Sequence, residues 1–227
     1  VKAFDGEDYS ETVEVKVEVE KSISIEPELE WVVQIGGSGD DLAGQIAFDG
    51  SGNLLVTGHF ENTIDIDKDG NNDLTSNGRD DAYVAKFDSN GNLVSAKNIG
   101  NSGSDNGNEI ATDSNGNVLV TGGFESTIDI DGDGNNDLTS NGSYDGYVAK
   151  FDSNSNLVWA KNIGGSSRDY AWRTATDSSG NVLIAGIFKN TIDIDADGNN
   201  DLTSNGDNDG YVAKFDSNGN LVWAKNI

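Results

Sequence analysis

Along Ala82–Phe87 (AYVAKF) apolar side chains occupy both faces of an alternating run: Tyr83, Ala85 and Phe87 on one, Ala82 and Val84 on the other. Period-two alternation predicts a β-strand, and a strand apolar on both faces needs cover on both sides. The surrounding pattern predicts four strands, at Gln45–Asp49, Asn53–Phe60, Ala82–Asp88 and Leu93–Ile99. Asp49-Gly-Ser-Gly-Asn53 joins the first pair and Asp88-Ser-Asn-Gly-Asn92 the last. An Asp side chain accepts from backbone two residues on, and Gly and Asn tolerate positive φ, so both links read as tight hairpins.

The pattern recurs. DAYVAKFDSNGNLVSAKNIG at Asp81–Gly100 returns as DGYVAKFDSNSNLVWAKNIG at Asp145–Gly164 and as DGYVAKFDSNGNLVWAKNI at Asp209–Ile227, a period of 64 residues without insertion or deletion. The other half-unit repeats as GNLLVTGHF, GNVLVTGGF and GNVLIAGIF, from Gly52, Gly116 and Gly180. Four-stranded sheets stacked around an axis cover one another's faces, which is the arrangement of propeller blades. The expected fold is all-β: three four-stranded blades at about 44–100, 108–164 and 172–227. Leu29–Gly36 (LEWVVQIG) matches the last strand of a unit. Three blades are fewer than the four to eight of a closed propeller, so an open arc is expected, a β-propeller fragment.

These repeated runs, with NSGSDNG and IATDSNGNVLVTGGF, resemble the SBBP-type β-propeller repeat, over roughly Leu29–Ile227. The resemblance implies the propeller fold and an origin among secreted and surface proteins of bacteria. Residues 1–22 stand outside the repeat. Thr12–Glu20 (TVEVKVEVE) alternates Val with charge, as a half-buried edge strand does. It is expected to close an upstream cadherin-like or immunoglobulin-like β-sandwich module, with residues 23–28, including Pro27, as linker and 29–227 as the partial propeller.

Charge changes the picture most. Forty Asp and Glu against fourteen Lys and Arg give a net charge of −26, which repels nucleic acid and anionic lipid and attracts cations. No apolar run is long enough to cross a bilayer, so no membrane insertion is expected here. The chain starts at Val1 and stops within a strand pattern, as an excised piece of a longer protein would. With no Cys and one His, His59, nucleophilic and acid–base catalysis have little material, and no enzymatic activity is expected.

About twenty residues separate the second and third strands of each unit, long for a structureless loop in a compact domain. They contain TIDIDKDGNNDLTSNG, TIDIDGDGNNDLTSNG and TIDIDADGNNDLTSNG, from Thr63, Thr127 and Thr191. Alternate Asp side chains converge on one hard cation if the chain curls, and Gly70, Gly134 and Gly198 allow that turn. The expected ligands are the carboxylates of Asp65, Asp67, Asp69 and Asp73 with the Asn71 carbonyl. The second loop would use Asp129, Asp131, Asp133, Asn135 and Asp137, and the third Asp193, Asp195, Asp197, Asn199 and Asp201. Calcium, about three ions in all, is the expected cofactor; the alternative is an acidic solvated turn. Four carboxylates in nine residues repel one another, and nearby in sequence only Lys68 compensates. An EF-hand would need Glu at loop position 12, where Ser76, Ser140 and Ser204 stand. The spacing is similar to the calcium loops of integrin α-subunit propellers, which implies a structural role.

A ligand-specific site is expected where the copies disagree. Arg168, Tyr170, Trp172 and Arg173 replace Asp40, Leu42, Gly44 and Gln45 of the first copy, and Ser104, Asn106, Asn108 and Glu109 of the second. This aromatic and basic group suits a sugar ring or an acidic group; the plainer reading is drift, or contact with a further blade. Trp31, Trp159 and Trp223 share one repeat position, with Ser95 the exception, and are expected to pack between blades. Together these features predict a calcium-binding propeller, extracellular or on the cell surface, serving as scaffold or adhesion and binding module. Its partners would be calcium, the remaining blades of the parent chain, and a glycan or protein ligand. The alternative is the non-catalytic propeller region of a larger secreted enzyme, one that acts on polysaccharide for instance.

Overall fold

The computed structural model describes residues 29–227, of which Trp31–Ile227 form one compact unit. The upstream module and linker expected at residues 1–28 lie outside the described residues. Three antiparallel four-stranded sheets follow one another. The first runs Leu42–Phe48, Leu54–Phe60, Asp81–Phe87, Leu93–Ile99; the second Asn106–Thr112, Val118–Phe124, Asp145–Phe151, Leu157–Ile163; the third Tyr170–Thr176, Val182–Ile192, Leu202–Phe215, Leu221–Asn226. Within each sheet every strand pairs with its sequence neighbour and the sheet stays open. These are propeller blades.

The hairpins form for the reason the sequence suggests. In the first, Asp49 Oδ1 accepts the amides of Ser51 and Asn53, at 2.8 and 3.0 Å, and Oδ2 accepts the Asn53 side-chain amide at 2.8 Å. The same bonds recur at Asp88, Asp113, Asp152, Asp177 and Asp216. Lys86, Lys150 and Lys214 on the third strands pair with Asp49, Asp113 and Asp177 of the turn beside them, at 2.8, 3.1 and 2.9 Å.

In the second blade both faces of the third strand are covered, as its two-sided apolar pattern demands. Leu55, Ala82 and Ile99 of the first blade share one core with Val120, Phe124, Tyr147 and Phe151 of the second. Leu119, Val148 and Ile163 of the second share another with Val182, Phe188, Tyr211 and Phe215 of the third. Among the described residues the outer face of the first blade has no such neighbour: Ile46 is 59% exposed, whereas Ile110, its repeat equivalent, is 4% exposed beneath the first blade. Trp31–Ile35 forms no strand, because no third strand lies beside it to bond; the ladder begins only at Gly36–Gly37. Val33 and Ile35 still pack on the first blade's core.

The shared Trp position fills the joints. Trp31 stacks on Phe87 of the first blade, ring centres 6.4 Å apart, and its Nε1 donates to the Ser89 carbonyl at 3.2 Å. Trp159 does the same to Phe215 and Ser217 of the third blade, at 6.1 and 3.3 Å.

Acids are also buried at the joints. Asp105 is fully buried; its Oδ2 accepts the Asn101 amide at 2.8 Å. Burial first, then the charges of Asp81 and Asp80, push its carboxyl up to about 8. Asp145 is pushed up to about 6, by burial and then the charge of Asp169. A carboxyl raised in the folded state binds its proton more tightly there than in the unfolded chain, where it titrates near 4. Its contribution is full below about pH 4 and is lost as pH rises through the folded value, about 6 for Asp145 and 8 for Asp105. In calcium-free buffer the melting temperature is expected to rise as pH falls from 8 to 5.5. Asp105→Asn should flatten the part of that slope above pH 6, and an unchanged slope in that variant would refute the assignment.

Candidate metal centres

Each Asp-rich segment extends the hairpin between the second and third strands. Thr63–Asp65 pairs with Leu74–Thr75, Thr127–Ile128 with Leu138–Thr139, and Thr191–Ile192 with Leu202–Thr203. The Ile-Asp-Ile-Asp run sorts by strand alternation. Ile64 and Ile66 are fully buried, as are Ile128, Ile130, Ile192 and Ile194, so the intervening Asp65, Asp129 and Asp193 face the opposite side, into the loop, where Asp65 is half-buried and Asp129 and Asp193 are buried. The chain then turns back through two residues with positive φ, Lys68 (61°) and Gly70 (94°), matched by Gly132 and Gly134, and by Ala196 and Gly198.

Carboxylates strap the curl. Asp73 Oδ2 accepts the Ile66 amide at 2.6 Å, bringing the far end of the loop over the near end; Asp137 and Asp201 do the same to Ile130 and Ile194, at 2.7 and 2.8 Å. The amides of Gly70, Gly134 and Gly198 donate to Asp65, Asp129 and Asp193. The result is three convergent carboxylates per loop, with ligand atoms within 4.8 Å of one another: Asp65, Asp67 and Asp73; Asp129, Asp131 and Asp137; Asp193, Asp195 and Asp197.

The convergence is of three acids, where the spacing suggests four. Asp69 and Asp133 turn back to accept the amides of Asn71 and Asn135, both at 2.7 Å, and these bonds lower their carboxyls below the ordinary range. In the third loop Asp197 joins the trio although it also accepts the Asn199 amide, while Asp201 stays on Ile194. Asn71, Asn135 and Asn199 donate their side chains to the neighbouring Asp.

The donor set suits a hard cation. Calcium takes oxygen ligands at about 2.3–2.6 Å, so two oxygens bound to it stand no more than about 5 Å apart, a limit that each trio meets. Asp65 Oδ1 is buried without a hydrogen-bond partner. Asp137 is raised by burial and then by Asp131 and Asp129; Asp201 by burial and then by Asp195, Asp193 and Asp197. A divalent ion would relieve both.

The loops also straddle the joints between repeats. Gly36 and Gly37 ladder with Asp65 and Ile64, the Gly100 amide donates to the Asp129 carbonyl at 3.0 Å, and Gly164 exchanges both backbone bonds with Asp193. Lys97 and Lys161, from the preceding blade's last strand, donate to the carbonyls of Asp131 and Asp195, at 2.7 and 3.1 Å. These two cations are 34 residues from the loops they meet, which is why sequence-local reading finds only Lys68.

Of the four residues where the repeats diverge, three come together. The Arg168 guanidinium lies 5.0 Å from the Tyr144 ring centre and 5.8 Å from that of Tyr170, and Tyr170 stands 5.7 Å from Trp172. Arg173 turns instead to Glu109 of the second blade, at 3.6 Å. Tyr144 completes the group and was not read from sequence; its signal was the same divergence, Asp80 and Asn208 standing at its repeat positions. Trp172 sits at a bulge in its strand, which re-aims its side chain; Asn108, at the matching bulge, reaches the Ala171 carbonyl of the following blade at 3.0 Å. His59 lies half-buried on a strand opposite Leu42 and Ala82 and joins neither group.

Comparison with known proteins agrees with this architecture. The SBBP family, described as a beta-propeller repeat, matches residues 30–59 and 97–122. Each match runs from the end of one unit across the first two strands of the next. An uncharacterized WD repeat-containing protein of Acanthamoeba polyphaga mimivirus is 27% identical over 186 residues, covering 75% of this chain and 13% of the viral protein. The chain thus spans a small part of that relative's length. With blades, register and joints in place at both matched stretches, the chain is built of β-propeller repeats, and those two stretches are similar to the SBBP repeat.

Proposed function

We propose that this chain is a non-catalytic, calcium-stabilised propeller scaffold and binding module, working outside the cell or on its surface. One observation carries the reading: each blade gathers three carboxylates in a loop that is itself bonded to the unit before it. An ion held there fixes a joint as well as a loop. Extracellular calcium modules bind at about 10⁻⁴–10⁻³ M, and sites in that range would fill where calcium is abundant, as it is outside the cell. The exposed Leu42, Ile46 and Phe48 of the first blade are the surface that a further blade of the parent chain would cover. Arg168, Tyr170 and Trp172, backed by the buried Tyr144, form the face best suited to a glycan or an acidic protein ligand, since aromatic rings hold sugars and the guanidinium holds anions.

Calorimetric titration of calcium into EDTA-stripped protein tests this. Three sites are expected, one per loop, and Asp129→Asn with Asp131→Asn should remove one of them. Heats no larger than those of dilution would sink the proposal.

A further inference from the structure

The joint between the first and second blades differs from its sisters. At the repeat position of Trp31 and Trp159 stands Ser95, and no indole covers Phe151. The turn facing that position has changed with it. Gly91 and Gly219 face Trp31 and Trp159, and a Cβ on either would meet the indole at 2.7 or 2.8 Å. Facing Ser95 the matching residue is Ser155, which keeps the turn's positive φ, at 67°, although it bears a side chain. Tryptophan with glycine, serine with serine: the two positions change as a pair because they compete for one volume. The space is not refilled. A cavity of about 70 Å³ remains, walled by Leu55, Val84, Val118 and Phe151 and edged by Ser95 and Ser155. Lys97 Nζ lies over the Phe151 ring, 5.7 Å from its centre. Among the described residues no side chain donates to the Ser153 carbonyl, whose equivalents at Ser89 and Ser217 accept the indole N–H.

We propose that this gap binds a free, flat aromatic molecule of the indole type. The sister joints show what the slot holds: a ring stacked on the third-strand Phe, its N–H on a turn carbonyl. Here the exposed Ser95 stands at the edge from which an indole would be tethered, so the ring has to enter from solvent, past the exposed Ser153 and Ser155. Apolar walls take its faces, the Ser153 carbonyl takes its donor, and the Lys97 ammonium favours a π-face beside it. A closed apolar cavity of about 150 Å³ takes up benzene; this one is smaller and opens to solvent past its serines. Because the gap is small, one edge of the ring stays in water.

Indole itself is the probe, titrated into the full chain with methyl and aromatic NMR shifts as readout. One saturable site is expected, with shifts centred on Leu55, Val84, Val118 and Phe151. Ser155→Gly, which clears the mouth, should tighten binding several-fold. Ser95→Trp combined with Ser155→Gly, which rebuilds the sister arrangement, should weaken it by at least tenfold. Linear, unsaturating shifts, or equal affinity in the wild type and Ser155→Gly, would overturn the proposal, and the second comparison holds even if the double variant fails to fold.

Discussion

Stripping calcium with EDTA is expected to lower the melting temperature by about 10 °C. A site whose ion stands at ten times its dissociation constant adds about 1.4 kcal/mol by linkage, so three add about 4 kcal/mol. In a domain near 200 residues, each kcal/mol moves the midpoint by about 2–4 °C. The effect should be cooperative across blades, because the loops carry joint contacts: Gly36–Gly37 on Asp65 and Ile64, Gly100 on Asp129, Gly164 on Asp193. Adding back calcium in excess over EDTA should restore the midpoint, and magnesium should do so poorly, since it parts with its water reluctantly. A midpoint that ignores EDTA in calorimetry would leave the three acid clusters as solvated turns.

The blade was legible in the sequence because its determinants are local. The Asp-x-x-Gly-Asn turn bonds within five residues, and the two-sided run Ala82–Phe87 announces cover on both faces. Strand ends consequently fall close to expectation; the first strand starts at Leu42, three residues ahead of Gln45. What the spacing could not give was the division of labour inside each loop. Asp69 and Asp73 look equivalent in an alternating acid ladder. Both accept a backbone amide, and the outcome differs between loops: Asp73 and Asp137 converge in the first two, held by Ile66 and Ile130, whereas Asp197 converges in the third although the same two bonds form there. Nor could local reading find Lys97 beside Asp131 or Tyr144 beside Arg168, because both meetings cross a blade joint. Joints are written in pairs of positions, such as Trp31 with Gly91 and Ser95 with Ser155, and such pairs become visible only when the register between repeats is known.

Gly122→Ala is expected to destabilise the protein by about 3 kcal/mol, the upper part of the ordinary range for forcing extra atoms into a packed interior. Gly122 sits mid-strand between Gly107 and Tyr147, where an alanine Cβ would lie 1.9 Å from the Asn106 carbonyl oxygen and 2.4 Å from the Tyr147 ring. Neither neighbour can yield cheaply. The carbonyl belongs to the first strand just before its bulge, and the Tyr147 ring is fully buried against Phe124. The same close approach recurs at Gly58 and Gly186, where a Cβ would meet the carbonyls of Leu42 and Tyr170 at 1.8 Å. A glycine inside a strand thus marks backbone meeting backbone, and it lets the first strand lie close against the second. Gly50→Ala is the matched control, since a Cβ there meets nothing within 4 Å. Urea denaturation should place the Gly122→Ala midpoint well below that of Gly50→Ala, with Gly50→Ala near wild type. If the two variants unfolded together, the close approach at Gly122 would not be what constrains the blade, and the tight seating of each first strand would need another cause.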